Sequence, residues 1–189
     1  MTLQQVARGP ITRRAGRPAD AEALHALIAA NLDEGHLLPR RLDELAIHAS
    51  RFSVALQRGR VIGCAELVPP SPTRAELRSL AVDATCRGRG IGSELVADVP
   101  QPAQAGGFDE LCLMTHTPTY FTSLGFSIVP HRAIPEKVAT DCVRCPKFGS
   151  CGQLAMVRPL ETVLNRSERP VDTSIHRTHQ PVLIPVHAA

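Results

Sequence analysis

Leu77, Leu80 and Val82 give the stretch from Ala75 to Val82 the apolar positions of a strand. The chain then passes at once through Thr85-Cys86-Arg87-Gly88-Arg89-Gly90-Ile91-Gly92 into Ser93 to Val99, which has helical character. A helix start leaves its first backbone N–H groups unpaired and carries the positive end of the helix dipole. Glycines there let a diphosphate approach the main chain closely. Arg87 and Arg89 add flanking positive charge. The motif is not a Walker A loop, because no Lys-Ser or Lys-Thr follows, and its G-x-G-x-G spacing is not the dinucleotide fingerprint. Read by itself it is a phosphate-gripping turn or simply a turn.

The pattern on either side decides the class of fold. Ile11 to Arg14 reads as a strand, and Ala21, Leu24, Leu27, Ile28 and Leu32 recur at helical spacing, with Pro18 suited to the first turn and Gly35 to the stop. Leu42, Leu45 and Ile47 suggest a second, shorter helix. Phe52 to Leu56 and Val61 to Val68 read as strands joined by a tight turn at Gln57-Arg58-Gly59-Arg60. Further strands are expected at Glu110 to Met114, Phe126 to Val129 and Gln153 to Val157, with a short helix from Thr119 to Leu124 ended by Gly125. Strands and helices in this mixed order make an α/β domain, expected over residues 1–160. From 161 to 189 the composition turns polar, and that stretch reads as a tail of low order or a peripheral strand.

Composition excludes several classes of function. Only 3% of the 189 residues are aromatic and none is Trp, so the core must be mostly aliphatic and base-stacking platforms for nucleic acid are not expected. A net charge of +3 scattered along the chain favours a small anionic ligand over a duplex. No secretory signal pattern and no apolar run of membrane-spanning length is visible, which makes the cytoplasm the expected compartment.

Leu80-Ala81-Val82-Asp83 followed by Arg87-Gly88-Arg89-Gly90-Ile91-Gly92 resembles the acetyl-CoA-binding motif of GNAT acetyltransferases, a strand leading through R-x-x-G-x-G into a helix. The resemblance runs from about Ile11 to Leu160. It is sharpest for the acetyltransferase domain of N-acetylglutamate synthases in their short bacterial form, which are amino-acid N-acetyltransferases at the first step of arginine biosynthesis. Leu37-Leu38-Pro39-Arg40-Arg41, Ala75-Glu76-Leu77-Arg78-Ser79-Leu80-Ala81-Val82, Tyr120-Phe121 with Leu124-Gly125-Phe126, Ile134-Pro135-Glu136-Lys137 and Asp141-Cys142-Val143-Arg144-Cys145-Pro146-Lys147-Phe148 carry it. The resemblance implies a mixed, mostly antiparallel sheet flanked by helices, acetyl-CoA as cosubstrate, and a small amino acid as partner; a homodimer is left open. Arginine feedback through an amino-acid-kinase domain is not expected, because no such domain fits in this length.

Residue by residue, the resemblance puts the main chain of Leu80, Ala81 and Val82 beside the pantetheine arm. It puts Arg87, Gly88, Arg89, Gly90, Ile91, Gly92 and Ser93 around the pyrophosphate. Glu76 takes the place of the acidic base that removes a proton from the acceptor's ammonium. Arg40 and Arg144 match arginines that hold a substrate carboxylate, a task suited to the guanidinium fork, and Ser79 and Thr115 join them around the acceptor. Tyr120, the only tyrosine, stands where many members use one against the departing thiolate, with packing as the alternative. The acceptor the resemblance implies is the α-amine of L-glutamate or a close analogue; Pro146 replaces a hydroxyl of the longer synthases, which leaves glutamine, aspartate or another amine open.

Two features fit less simply. Cys142, Cys145 and Cys151 have C-x2-C-x5-C spacing, which could give three thiolates to zinc with His131 or Cys112 as a fourth ligand, but no second C-x-x-C completes the set and plain thiols are the simpler expectation. Pro100 and Pro102 interrupt the helix after the glycine turn. Either that helix stops near Val99 or catalysis is impaired. A CoA-binding protein without turnover, or a thiol sensor, is the alternative from another class; an acetyltransferase for another small amine or a peptide N-terminus is the nearer one.

Overall fold

The computed structural model describes residues 9–33 and 37–160. The expected tail at 161–189 and the expected helix stop at Gly35 lie outside the described residues. The strands β1 (Ile11–Ala15), β2 (Phe52–Gln57), β3 (Arg60–Val68), β4 (Arg74–Val82), β5 (Glu110–Thr115), β6 (Ser127–Val129) and β7 (Leu154–Pro159) form one 7-stranded sheet, in the order β1-β2-β3-β4-β5-β7-β6. Neighbours are antiparallel except β4 and β5, which are parallel. The helices are α1 (Ala21–Ala29), α2 (Leu42–Ile47), α3 (Ile91–Asp98), α4 (Pro100–Ala105), α5 (Pro118–Thr122) and α6 (Pro135–Thr140). None of the described helices is long and apolar enough to cross a membrane.

Because side chains alternate along a strand, the sheet buries both faces. Leu24, Ile28 and Leu45 of α1 and α2 pack on Phe52, Val54 and Cys64. On the opposite face Leu95, Val96 and Ala103 of α3 and α4, with Phe121 of α5, cover Ile62, Leu77 and Leu111. A smaller group, Cys112, Ile134 and Ala155, seats the loop that begins α6. The core is mostly aliphatic, with Phe52, Phe121 and Phe126 as its buried aromatic members. The β2–β3 turn places both Arg58 (φ 52°) and Gly59 (φ 78°) in left-handed conformation, which suits the twist of a two-residue hairpin.

Pro100 and Pro102 do not damage the helical layer. α3 ends at Asp98 and α4 starts at Pro100, so both prolines fall in the first turn of a new helix. Its first intrahelical bond is Ala103 N–H to Val99 O at 3.1 Å, and neither proline's missing N–H would have had an intrahelical partner.

Two irregularities of β4 open the molecule. The parallel pairing of β4 with β5 runs from Arg74↔Glu110 to Glu76↔Cys112 and stops, although both strands continue. On the other side Glu66 pairs with Arg78 and Cys64 with Ala81, so β4 carries one residue more than β3 between those points. That bulge holds Ser79 at φ 52°, an uncommon conformation for a non-glycine residue.

Candidate active site

A cleft of about 910 Å³ lies where β4 and β5 part. One end is main chain. The Asp83 carboxylate accepts from the Thr85 N–H (2.9 Å) and hydroxyl (2.6 Å), closing the turn Ala84–Cys86 that leads out of β4. Gly88 (φ 73°) and Gly90 (φ 78°) are left-handed, with no atom within 4 Å of where a Cβ would stand. Gly90 caps α3, and the first intrahelical bond is Glu94 N–H to Gly90 O at 2.9 Å. The amides of Ile91, Gly92 and Ser93 therefore precede the ladder and project from the helix start. Arg87 Nε donates to Val82 O (3.2 Å) and its fork reaches Asn31, which ties the turn to the end of α1. Arg89 turns instead toward Gln57, at 3.3 Å.

Tyr120 of α5 stands over the start of α3. Its hydroxyl is 3.3 Å from Ser93 Oγ and would lie 2.9 Å from a Cβ placed on Gly92. Its ring meets Phe121 edge-on at 5.0 Å. Thr115 closes β5 with its hydroxyl 2.9 Å from the Thr117 N–H.

The other end is a charged network. Glu76 is buried and receives Lys137 Nζ at 2.8 Å; the same ammonium bonds Asp141 at 2.7 Å. Burial pushes the Glu76 carboxyl above its ordinary range against the pull of Lys137. Burial lowers the Lys137 ammonium, but Glu76 and Asp141 outweigh it and hold its pKa above the usual value. Glu66 is fully buried and takes Arg40 Nη1 at 2.5 Å and Arg78 Nε at 3.0 Å. Burial acts to raise that carboxyl too, yet the two guanidinium groups leave it below its ordinary range. Arg40 also donates to Ser79 Oγ (2.8 Å) and Glu44 (2.6 Å).

Of the residues expected from sequence, Glu76, Ser79, Leu80, Ala81, Val82, Arg87, Gly88, Gly90, Ile91, Gly92, Ser93, Thr115, Tyr120 and Arg40 all line the cleft. Arg89 and Arg144 do not; Arg144 is exposed in the short turn Cys142–Arg144. Cys142, Cys145 and Cys151 line the cleft mouth. Among the described residues no group of three or more His, Cys, Asp or Glu is arranged to hold a metal. Cys112 lies buried in the sheet, and His131 Nε2 pairs with Gln153 O at 2.9 Å. Sequence reasoning missed Glu66, Arg78, Lys137 and Asp141. The i,i+4 spacing of Lys137 and Asp141 was a usable signal.

Residues 21–126, which include β4, the glycine turn and Tyr120, match the model of the acetyltransferase (GNAT) family. The chain belongs to the GNAT family. It is an acetyltransferase by that membership, and the sheet that parts at Glu76 is the family fold. An uncharacterized N-acetyltransferase of Chlorobaculum tepidum is 33% identical over 147 residues, 78% of this chain and 95% of that protein. The amino-acid acetyltransferase of Neisseria meningitidis serogroup A is 30% identical over 128 residues, 67% of this chain but only 29% of its own length. The structure of N-acetylglutamate synthase from Neisseria gonorrhoeae, complexed with coenzyme A and N-acetyl-glutamate, superposes with a TM-score of 0.72 at 26% identity, over 81% of this chain and 36% of that one.

Proposed function

We propose that this GNAT protein transfers acetyl from acetyl-CoA to the α-amine of L-glutamate or a close analogue, by direct attack in a ternary complex. The observation that carries the reading is the parting of β4 and β5 at Glu76, which aligns a buried carboxylate, an unpaired strand edge and the α3 amides along one cleft. Acetyl-CoA supplies an activated thioester. The amides from Gly88 to Ser93 suit its pyrophosphate, and the β4 edge at Leu80 to Val82 suits its pantetheine amides as an added strand. Glu76 takes the proton from the incoming ammonium, directly or through a water. Lys137 pulls against the burial of Glu76 and favours its charged form. In this reading Tyr120, whose hydroxyl lies 3.3 Å from Ser93 Oγ at the α3 start, donates a proton to the leaving thiolate.

The acceptor class is supported by the amino-acid acetyltransferase and N-acetylglutamate synthase relatives. A different small amine is favoured by one fact, the closure of the Arg40 fork by the protein's own Glu44 and Glu66. Thiol release measured over a panel of amino acids, polyamines and peptide N-termini separates the two. L-Glutamate or glutamine should be turned over, and Glu76→Gln should abolish most of that turnover. Polyamine turnover alone would discard the acceptor assignment, and tight CoA binding with no turnover would favour the non-catalytic reading.

A further inference from the structure

An α-amino acid whose amine sits at Glu76 brings its carboxylate a few ångströms away, and burying that anion without a counter-charge is costly. The guanidinium groups near the acceptor end differ in what they have left to give. Arg144 is exposed and away from the cleft lining. Arg40 has both terminal nitrogens occupied, Nη1 by Glu66 and Ser79 and Nη2 by Glu44 and, at 3.4 Å, Glu66 again. Arg78 lines the cleft with 26% of its side chain exposed and donates only through Nε, to Glu66 at 3.0 Å. Its Nη1 is 3.6 Å from Asp141, beyond hydrogen-bond reach, and Asp141 is already held by Lys137. Among the described residues the Nη edge of Arg78 makes no hydrogen bond.

Position adds to this. Glu76 and Arg78 are two residues apart on β4, hence on one face and about 7 Å apart along the strand. The bulge begins only after Arg78, so the alternation holds between them. Glu66, paired with Arg78 across β3 and β4, is fully buried and fixes the guanidinium by Nε alone.

We propose that Arg78 is the specificity residue that binds the acceptor's α-carboxylate through its open Nη edge. Glu76 and Arg78 then recognise the part common to all α-amino acids, and the acceptor's side chain is sorted elsewhere in the cleft. The inference rests on the amino-acid reading above.

The test compares L-glutamate, L-glutamine and the α-carboxamide of glutamate, which keeps the side-chain carboxylate, by thiol release. The wild-type protein should discriminate against the α-carboxamide by about 100-fold in kcat/KM, because a built carboxylate site is left unpaired. Arg78→Gln should raise KM for glutamate and glutamine by about 100-fold and hardly change KM for the α-carboxamide. Arg78→Lys, which keeps the charge but not the fork, should give about 10-fold. Equal effects on acid and amide, or none, overturn the anchor while leaving amino-acid turnover standing. If Arg78→Gln does not fold, the wild-type preference and Arg78→Lys decide, and a wild-type protein indifferent to the α-carboxylate overturns the proposal. Failure of the wild type to acetylate any amino acid while it acetylates another amine removes the reaction and the anchor together.

Discussion

The two ends of the cleft are made of different material. The end beside α3 is main chain from one continuous stretch, residues 80–93, and its binding groups are amides left over by helix geometry. The end beside α6 is side chains from separate segments: Arg40 and Glu44, Glu66 of β3, Glu76 and Arg78 of β4, and Lys137 and Asp141. There, three cations face four carboxylates, and each carboxylate already has at least one cationic partner before a ligand arrives. Backbone recognition tolerates changes in nearby side chains. A network of buried charges does not, because removing one member leaves another unpaired in a poor solvent.

The largest effect should follow from the network's reacting member. Glu76→Gln keeps the shape and removes the base, and should lower kcat/KM by roughly 10²–10⁴, with CoA affinity by calorimetry unchanged. The pH profile sharpens this. Burial raises the Glu76 pKa above 4.5 and Lys137 opposes it. Activity needs the ionised carboxylate, so kcat/KM should fall as pH drops through that raised value. Lys137→Met removes the opposing charge and should carry the acid limb to still higher pH. A limb that stays in place would mean that some other group titrates.

The next effect is on stability. Arg40→Leu leaves the fully buried Glu66 with Arg78 alone. The cost should be about 3–5 kcal/mol, seen as a fall of several degrees in the thermal midpoint. Glu44→Ala removes a partner whose side chain is 37% exposed and should cost under about 1 kcal/mol. If both variants unfold alike, the acceptor end is not an interdependent network.

The same contrast explains what could be read from sequence. β3 was expected at Val61 to Val68 and spans Arg60–Val68, and the strand before the glycine turn was expected one residue short at its start. Such elements announce themselves through local periodicity. α4 and α6 did not, since neither carries two large apolar residues three or four apart, as α2 does with Leu42 and Leu45. The main-chain end was legible because it is contiguous, and the residues from Leu80 to Ser93 singled out in advance line the cleft except Arg89. The charged end was legible only at Glu76, Ser79 and Arg40. Glu66 looks like any strand glutamate until β3 and β4 place it against Arg78, and Lys137 acquires meaning only when α6 folds back over Glu76.

A smaller loss is expected at the glycine turn. Gly90→Val puts a β-branched residue at φ 78°, a strain of about 1–3 kcal/mol, even though a Cβ there would touch nothing. Since that strain reshapes the start of α3, CoA affinity should fall about 10-fold by calorimetry. Gly92→Ala tests the neighbouring contact, because its Cβ would meet the Tyr120 hydroxyl at 2.9 Å. Thiol-release rate should fall there more than CoA affinity if that hydroxyl serves the leaving group.

The smallest effect should come from the substitutions that look most drastic. Interior prolines cost about 3 kcal/mol in a continuous helix, but Pro100 and Pro102 occupy positions of α4 ahead of its first internal bond, at Ala103. Pro100→Ala or Pro102→Ala should therefore restore no useful hydrogen bond, and should destabilise by under about 1 kcal/mol through the freer unfolded chain. Val99 and Ala103, both buried, pin the break to the core from either side, so the double variant should not straighten α3 and α4 into one helix. Thermal unfolding and CoA calorimetry on the double variant check this. A stability gain above 1 kcal/mol, or a shift in CoA affinity, would mean that the break governs how α3 presents its amides, and that the main-chain end is less self-contained than its contiguity suggests.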